Sequence, residues 1–309
     1  MRVSTSDSWQ SALLNLQTAQ QQQSDAATQV STQKIATDLM GFGRTSSVIA
    51  TYQSTLSTTQ GYLDVNSTVA DRLTSQDSAL STTAQAASDA KDSLMGALAN
   101  GDGTSLMLSL QGNFSSALDG LNYEHDGTYL FGGGNDNTAP VNVNSLSALG
   151  ALGTSVTGAF SNGSVKKSSQ IDANSTVQTG MLASDIGQKM LQTFQDIQNY
   201  NNDPTTGPFG SQLTDAQKTF LTTKSQEFNT EYTQLLQQQA INGTLQKQVT
   251  TTTTSLTGQV SQLQTLISGK TDADMATAVT NLQQAQVAVQ ASAQVLSSLN
   301  QYSLLNYLK

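Results

Sequence analysis

Apolar residues along this chain recur at steps of three and four over most of its length, the spacing that places side chains on one face of an α-helix. Near the start, Leu13, Leu16, Gln20, Gln23, Ala27 and Val30 keep that step. This is a heptad seam whose middle positions are polar, with glutamines where leucines are expected. A longer run follows through Ile49, Tyr52, Leu56, Thr59, Leu63, Asn66, Ala70, Leu73, Asp77, Leu80, Ala84, Ala87, Lys91, Leu94 and Leu98. It predicts a helix of about 50 residues, or about 75 Å at 1.5 Å per residue, too long for a compact globular domain. Asn100-Gly101-Asp102-Gly103 breaks it, and Met107, Leu110, Phe114, Ala117 and Leu121 predict a third, shorter helix.

The period then changes. Thr128-Tyr129-Leu130-Phe131 running into Gly132-Gly133-Gly134-Asn135-Asp136-Asn137 reads as a short strand entering a glycine turn, with Tyr129 and Phe131 on one face. From Pro140 to Thr179 there is no helical period, and runs such as 164–171 predict strands. Helical pattern returns from Met181 to Tyr200 and stops at Asn201-Asn202-Asp203-Pro204. Leu221, Phe228, Tyr232, Leu235, Leu245, Val249, Thr252, Leu256, Leu263 and Ile267 predict another long helix, broken at Ser268-Gly269-Lys270-Thr271. Thr271 is placed as N-cap of a last helix with Asp272 and Asp274 in its first turn. That helix carries Met275, Ala278, Leu282, Ala285, Val289, Ser292, Leu296 and Leu299 to an apolar end at Leu304, Leu305, Tyr307 and Leu308.

The fold class expected is mainly α: an elongated antiparallel helical bundle or coiled-coil rod, with paired N- and C-terminal helices and a small β-rich inserted domain. Residues 1–36 with 272–309 form a terminal-helix domain. Residues 37–138 with 180–271 form a helical rod with a β-hairpin near 128–138, and 139–179 form a β-rich outer module. Ordering a residue costs about 1–2 kcal/mol of backbone entropy, against about 1.5–3 kcal/mol returned by a buried Leu or Val. A first helix this poor in large apolar residues folds only when neighbouring copies complete it.

Composition sharpens this picture. Ser, Thr, Gln and Asn fill about 135 of 309 positions, only 11% of residues are charged, and the net charge is −9, against an ordinary charged share of about 25%. Without cysteine there is no disulfide framework or thiolate chemistry, and one histidine leaves no two-histidine metal face. An acidic chain whose densest basic pair is Lys166-Lys167 does not bind nucleic acid. No apolar run reaches the 18–20 or so residues that cross a bilayer, so no membrane insertion is expected.

Three stretches invite a chemical reading. Glu124-His125-Asp126 is the one place where histidine meets carboxylates, but with no second histidine it reads as a solvated turn. Gly132-Gly133-Gly134 lacks the Lys-Ser/Thr and helix of a phosphate loop, so it reads as a hairpin turn. Asp272-Ala273-Asp274 lacks the glycine and distal Glu of a calcium loop, so it reads as helix capping. No catalytic, metal or cofactor site is assigned, and the chain is not read as an enzyme.

Met1-Arg2-Val3-Ser4-Thr5, Gly127-Thr128-Tyr129-Leu130-Phe131-Gly132-Gly133, and Thr271-Asp272-Ala273-Asp274-Met275-Ala276 leading to Tyr302-Ser303-Leu304-Leu305-Asn306-Tyr307-Leu308 together resemble the bacterial flagellin family. The first two stretches are similar to its hook-associated members more than to filament flagellins. The chain departs from the family after the first helix. A Ser-Gly-Lys segment and an Arg-x-x-x-Asp-Asp-Pro stretch are common there, whereas here Ser31-Thr32-Gln33-Lys34 leads to Thr37-Asp38-Leu39-Met40-Gly41-Phe42-Gly43-Arg44.

The resemblance implies a structural subunit at the junction of hook and filament, exported by the type III route without a cleaved signal and extracellular in the flagellum. Implied partners are other copies of itself, hook-associated protein 1 on the hook side, flagellin on the filament side, and an export chaperone with the type III export apparatus. Alternatives are a filament flagellin and a soluble coiled-coil binding or stalk protein. Candidate assembly residues are Leu13, Leu16, Val30, Leu296, Leu299, Leu304, Leu305 and Leu308, with Tyr129 and Phe131 packing the hairpin.

Overall fold

The computed structural model describes residues 2–305, and side chains over 7–299. The backbone is mainly helical: α1 (Arg2–Thr32), α2 (Ser46–Asn100), α3 (Leu106–Leu121), α4 (Leu146–Gly150), α5 (Ala183–Asn202), α6 (Asp215–Thr271) and α7 (Met275–Leu305). Two small antiparallel pairs complete it: β1 (Glu124–His125) with β2 (Thr128–Tyr129), and β3 (Ser168–Asp172) with β4 (Ser175–Gln178). The chain divides into two compact units, Met1–Thr58 with Gly258–Lys309, and Thr59–Thr257.

Long helices form where the three/four step is unbroken. Gly101, at φ +69°, ends α2 in a conformation that suits glycine. One expected stop differs. Ser268-Gly269-Lys270-Thr271 stays helical, and α6 runs through Thr271. The break falls at 272–274, and Asp274 caps α7 by accepting from the amides of Ala276 at 3.0 Å and Thr277 at 3.5 Å. A carboxylate accepts the orphan amides of a first turn better than a hydroxyl one helix earlier.

The threonine run inside α6 holds its helix by a local device. Thr250, Thr251, Thr254 and Thr257 each donate a hydroxyl to the carbonyl four residues back, at 2.8–3.0 Å. The bond satisfies a group that otherwise competes with the helix backbone.

The core of the second unit is built on facing helix stripes: Leu80, Ala87 and Leu94 of α2, Leu110, Phe114 and Leu121 of α3, Met190, Phe194 and Ile197 of α5, and Leu221, Phe228 and Leu235 of α6. Phe194 sits at its centre, edge-on to Phe114 at 5.5 Å and to Phe228 at 4.7 Å between ring centroids. The segment 139–179 is not a separate β module in its packing. Val141, Leu146, Leu149, Val156 and Ala159 belong to this same core, and the strands occupy only its last part. The β3–β4 hairpin places Ile171 and Val177 against Val69, Leu73 and Val249 in a second, smaller cluster.

The first hairpin lies earlier than expected. Its turn is Asp126-Gly127, with φ +50° and +72°, the positive pair of a two-residue turn of type I′, for which Asp-Gly is the preferred sequence. Leu130 and Phe131 follow the strand and are both fully buried, so the chain does not alternate there. Tyr129 is only half-buried. The triple glycine serves close packing. Gly133 is at φ +64°, and a Cβ there would stand 2.9 Å from the carbonyl oxygens of Gly163 and Val165.

Asn66 of α2 is fully buried, and neither atom of its amide has a hydrogen-bond partner among the described residues. An unpaired buried amide costs about 1–3 kcal/mol. Asn66→Leu, similar in volume, is expected to raise stability by about that much in thermal or urea melting. An unchanged or lower midpoint refutes the reading.

Candidate assembly surface: the paired terminal helices

In the first unit α1 packs along α7. On α1 the buried row is Ala12, Ala19 and Ala26, at 5–7% exposure, seven residues apart. Leu16, Gln23 and Val30 form the half-buried row beside it. The seam is therefore turned one position from the expected row of Leu13, Gln20 and Ala27. Leu13 is 38% exposed and Leu14 57%. On α7 the expected seam stands: Ala278 and Ala285 are buried, and Met275, Leu282, Val289, Ser292, Leu296 and Leu299 are half-buried. The side chains of Leu304 and Leu305, and Leu308 altogether, lie outside the described residues.

Alanine knobs let two helices approach closely but return little free energy, at about 0.8 kcal/mol per buried carbon group. Small side chains also leave a groove of about 550 Å³ between the helices, floored by Ala26, Ala285 and Ala288 and rimmed by Gln22, Gln29 and Gln284. Outside the seam, Leu13, Leu14, Val279, Val287 and Val295 remain exposed. The hairpin presents apolar surface on its outer side and little within.

A clasp closes the hairpin at its inner end. Gln33 takes φ +58° after its amide donates to Gln29 O at 2.9 Å, so α1 ends in a left-handed residue. Lys34 bridges Asp272: Ile35 N donates to Thr271 O at 2.8 Å and Ala273 N to Gln33 O at 2.9 Å. Lys34 Nζ donates to Asp272 Oδ1, and Ser268 Oγ to Asp272 Oδ2. This clasp was not legible from local patterns, because its halves stand 238 positions apart.

Two results are expected here. Gln33 stands at φ +58°, and a side chain at positive φ costs about 1–2 kcal/mol. Gln33→Gly should strengthen the clasp and slow amide exchange at Ile35 and Ala273 about fivefold, and faster exchange contradicts it. The second is a pH dependence. The Lys34 ammonium, with Ser268 and Thr271, holds the Asp272 carboxyl down at about 2. A depressed carboxyl stabilises the fold above its ordinary value of 3.8 and loses that contribution as pH falls through the folded value. The protection of the Ala273 amide, taken relative to the free-peptide exchange rate at each pH, should therefore fall between about pH 4 and 2. In Lys34→Met that fall shrinks, and an unchanged profile counts against the pairing.

The chemical candidates take structural places. His125 Nδ1 lies 2.9 Å from Ser75 Oγ, and Arg72 Nη2 donates to Leu130 O at 2.9 Å, so His125 and Arg72 dock the β1–β2 hairpin onto α2. Burial lowers the Arg72 pKa, and Asp136 opposes that shift. Asp272 and Asp274 serve the clasp and the α7 cap. Among the described residues no group of three or more histidine and carboxylate side chains is placed to hold a metal ion. No helix among the described residues is long and apolar enough to cross a membrane.

Residues 226–308, a stretch that takes in the latter part of α6 and the whole of α7, match the family profile of the bacterial flagellin C-terminal helical region. This stretch of the chain is similar to the flagellin C-terminal region. The chain's fold agrees. A protein described as a flagellar hook-associated protein of Vibrio parahaemolyticus superposes with TM-score 0.60 at 15% identity, over 76% of this chain and 99% of that one. FlgL of Bacillus cereus superposes with TM-score 0.53 at 13% identity, over 71% and 97%. No curated protein matches the sequence. The flagellin-like segment and the clasped hairpin coincide on α7, so the family likeness falls on the helix that pairs the two ends of the chain.

Proposed function

We propose that the protein is a structural subunit of the bacterial flagellum of the hook-associated type, the junction protein known as hook-associated protein 3, and that it is not an enzyme. The observation that carries this reading is the α1–α7 hairpin. Its C-terminal helix lies in the stretch that matches the flagellin profile, the fully buried positions of its seam are alanines, and its leucines at 13 and 14 face outward. Helices so paired reach stability when copies cover their outer faces, so Leu13, exposed on the outer side, is assigned to contacts between copies together with Leu304, Leu305 and Leu308, whose side chains lie outside the described residues. Leu16, Val30, Leu296 and Leu299 stand half-buried in the seam and add to such contacts only by their exposed edges.

The charge distribution supports the same division of labour. The first unit holds five basic and five acidic residues, the second eight and seventeen, so the whole net charge of −9 falls on the second. A neutral unit packs against its own kind without like-charge repulsion. Neighbours are expected to be further copies, hook-associated protein 1 and flagellin, reached outside the cell by type III export with a chaperone.

Similarity to two hook-associated structures favours the junction role over a filament flagellin. The test is a deletion strain. Intact hooks without filaments, and flagellin shed into the medium, are the expected outcome, and filaments that persist sink the proposal. Long filaments polymerised from the purified protein alone would point to flagellin instead. Terminal segments resistant to protease in the monomer would point to a soluble stalk protein.

A further inference from the structure

The chain carries three asparagine-glycine pairs, Asn100-Gly101, Asn162-Gly163 and Asn242-Gly243. Asparagine is chemically labile, and most so before glycine, whose missing side chain lets the next backbone nitrogen reach the side-chain carbonyl carbon. The fold treats the three pairs differently.

Asn242 is fully buried in the middle of α6, and its Nδ2 donates to Leu73 O at 2.8 Å. The nitrogen of Gly243 is held in the helix ladder. Asn162 is held at both side-chain atoms: Oδ1 accepts from Ser184 N at 3.1 Å, and Nδ2 donates to Ser184 Oγ at 3.1 Å. The nitrogen that would attack it is also taken, since Gly163 N donates to Gly132 O at 2.8 Å.

Asn100 is the exception. It is the last residue of α2, it is exposed, and its side chain has no hydrogen bond among the described residues. Gly101 N reaches Leu98 O only at 3.3 Å, long beside an ordinary amide bond of about 2.9 Å. Nothing crowds the turn, because a Cβ built on Gly101 would meet no atom within 4 Å.

We infer that Asn100 is a site of spontaneous deamidation selected by the fold. Gly101 N bonds to Asn100 Cγ, the Cγ–Nδ2 bond breaks, and the side-chain nitrogen leaves as ammonia with the proton of the backbone amide. Water then opens the succinimide ring at either carbonyl carbon, giving aspartate or isoaspartate. Both products place a carboxylate at the C-terminal end of a 55-residue helix, where the helix dipole disfavours it. Isoaspartate also adds a carbon to the backbone of a turn tied to the loop before α6. Gly101 O accepts there from Leu213 N at 2.9 Å, and Gly103 N donates to Gly210 O at 2.8 Å. Modification of Asn100 therefore loosens this end of the second unit. The chemistry needs only water and does not rest on assembly.

The test is peptide mapping by mass spectrometry of the full chain held in mildly alkaline buffer, folded and in urea. In the folded chain Asn100 should gain the asparagine-to-aspartate mass about tenfold or more faster than Asn162 and Asn242, and in urea the three should convert at similar rates. Conversion at Asn162 or Asn242 that keeps pace with Asn100 in the folded chain overturns the proposal. So does a lead of Asn100 that urea leaves unchanged. Amide exchange reads the consequence: at Gly103 and Leu213 it should quicken about twofold to fivefold in the aged parent and not in aged Asn100→Gln. Equal exchange in the two overturns the loosening of the turn.

Discussion

Replacing Ala19 and Ala285 together with glutamate should abolish incorporation into the flagellum while leaving the second unit folded. Each alanine is 5% exposed in the α1–α7 seam. A carboxylate at either place is desolvated without a partner, a cost of several kcal/mol. The seam has little to set against that, since its buried row on α1 is alanine throughout. Incorporation measured on sheared flagella is expected to fall about a hundredfold or more, the equivalent of about 2.7 kcal/mol. The melting transition of the second unit stays within about a degree of the parent, because neither residue lies in it. Ala19→Ser with Ala285→Ser, similar in size and uncharged, keeps the function. Normal incorporation of the glutamate pair removes the hairpin from the assembly mechanism.

The second large effect is on folding. Phe194→Ala empties the centre of the core beside Phe114 and Phe228, and removal of a buried phenylalanine costs about 3–5 kcal/mol. For a unit of this size that is a fall of about 10 °C or more in melting temperature. Urea melting should show a lower midpoint with an unchanged slope. A fall of only a degree or two would mean that Phe194 is not the keystone its ring contacts make it.

Much of this architecture is written in spacing. Leu73, Leu80, Leu94, Phe114, Phe228 and Leu235 were placed by the three/four step, and all are buried. Its failures share a cause. Periodicity names a stripe by its largest residues, so Leu13 stood for a row that burial assigns to Ala12, Ala19 and Ala26. An alanine carries little hydropathy, and only the partner helix shows which of two adjacent rows is inside. The triple glycine drew attention from Asp126-Gly127, where the turn lies, because its glycines answer the approach of residues 163–165 from elsewhere in the chain. Ser268-Gly269 read as a stop, yet the helix ladder carries through. The Lys34–Asp272 clasp is a relation between distant segments, which no local window contains.

The threonine hydroxyls folded back on α6 carry a mechanical meaning. A side-chain bond to the carbonyl four residues earlier shares an acceptor with the backbone ladder and favours slight bending. The same bond recurs at Thr219, Thr222, Thr223, Thr230, Thr233, Thr244 and Thr265, so the slight bending it favours is spread along α6 and marks no single hinge in it.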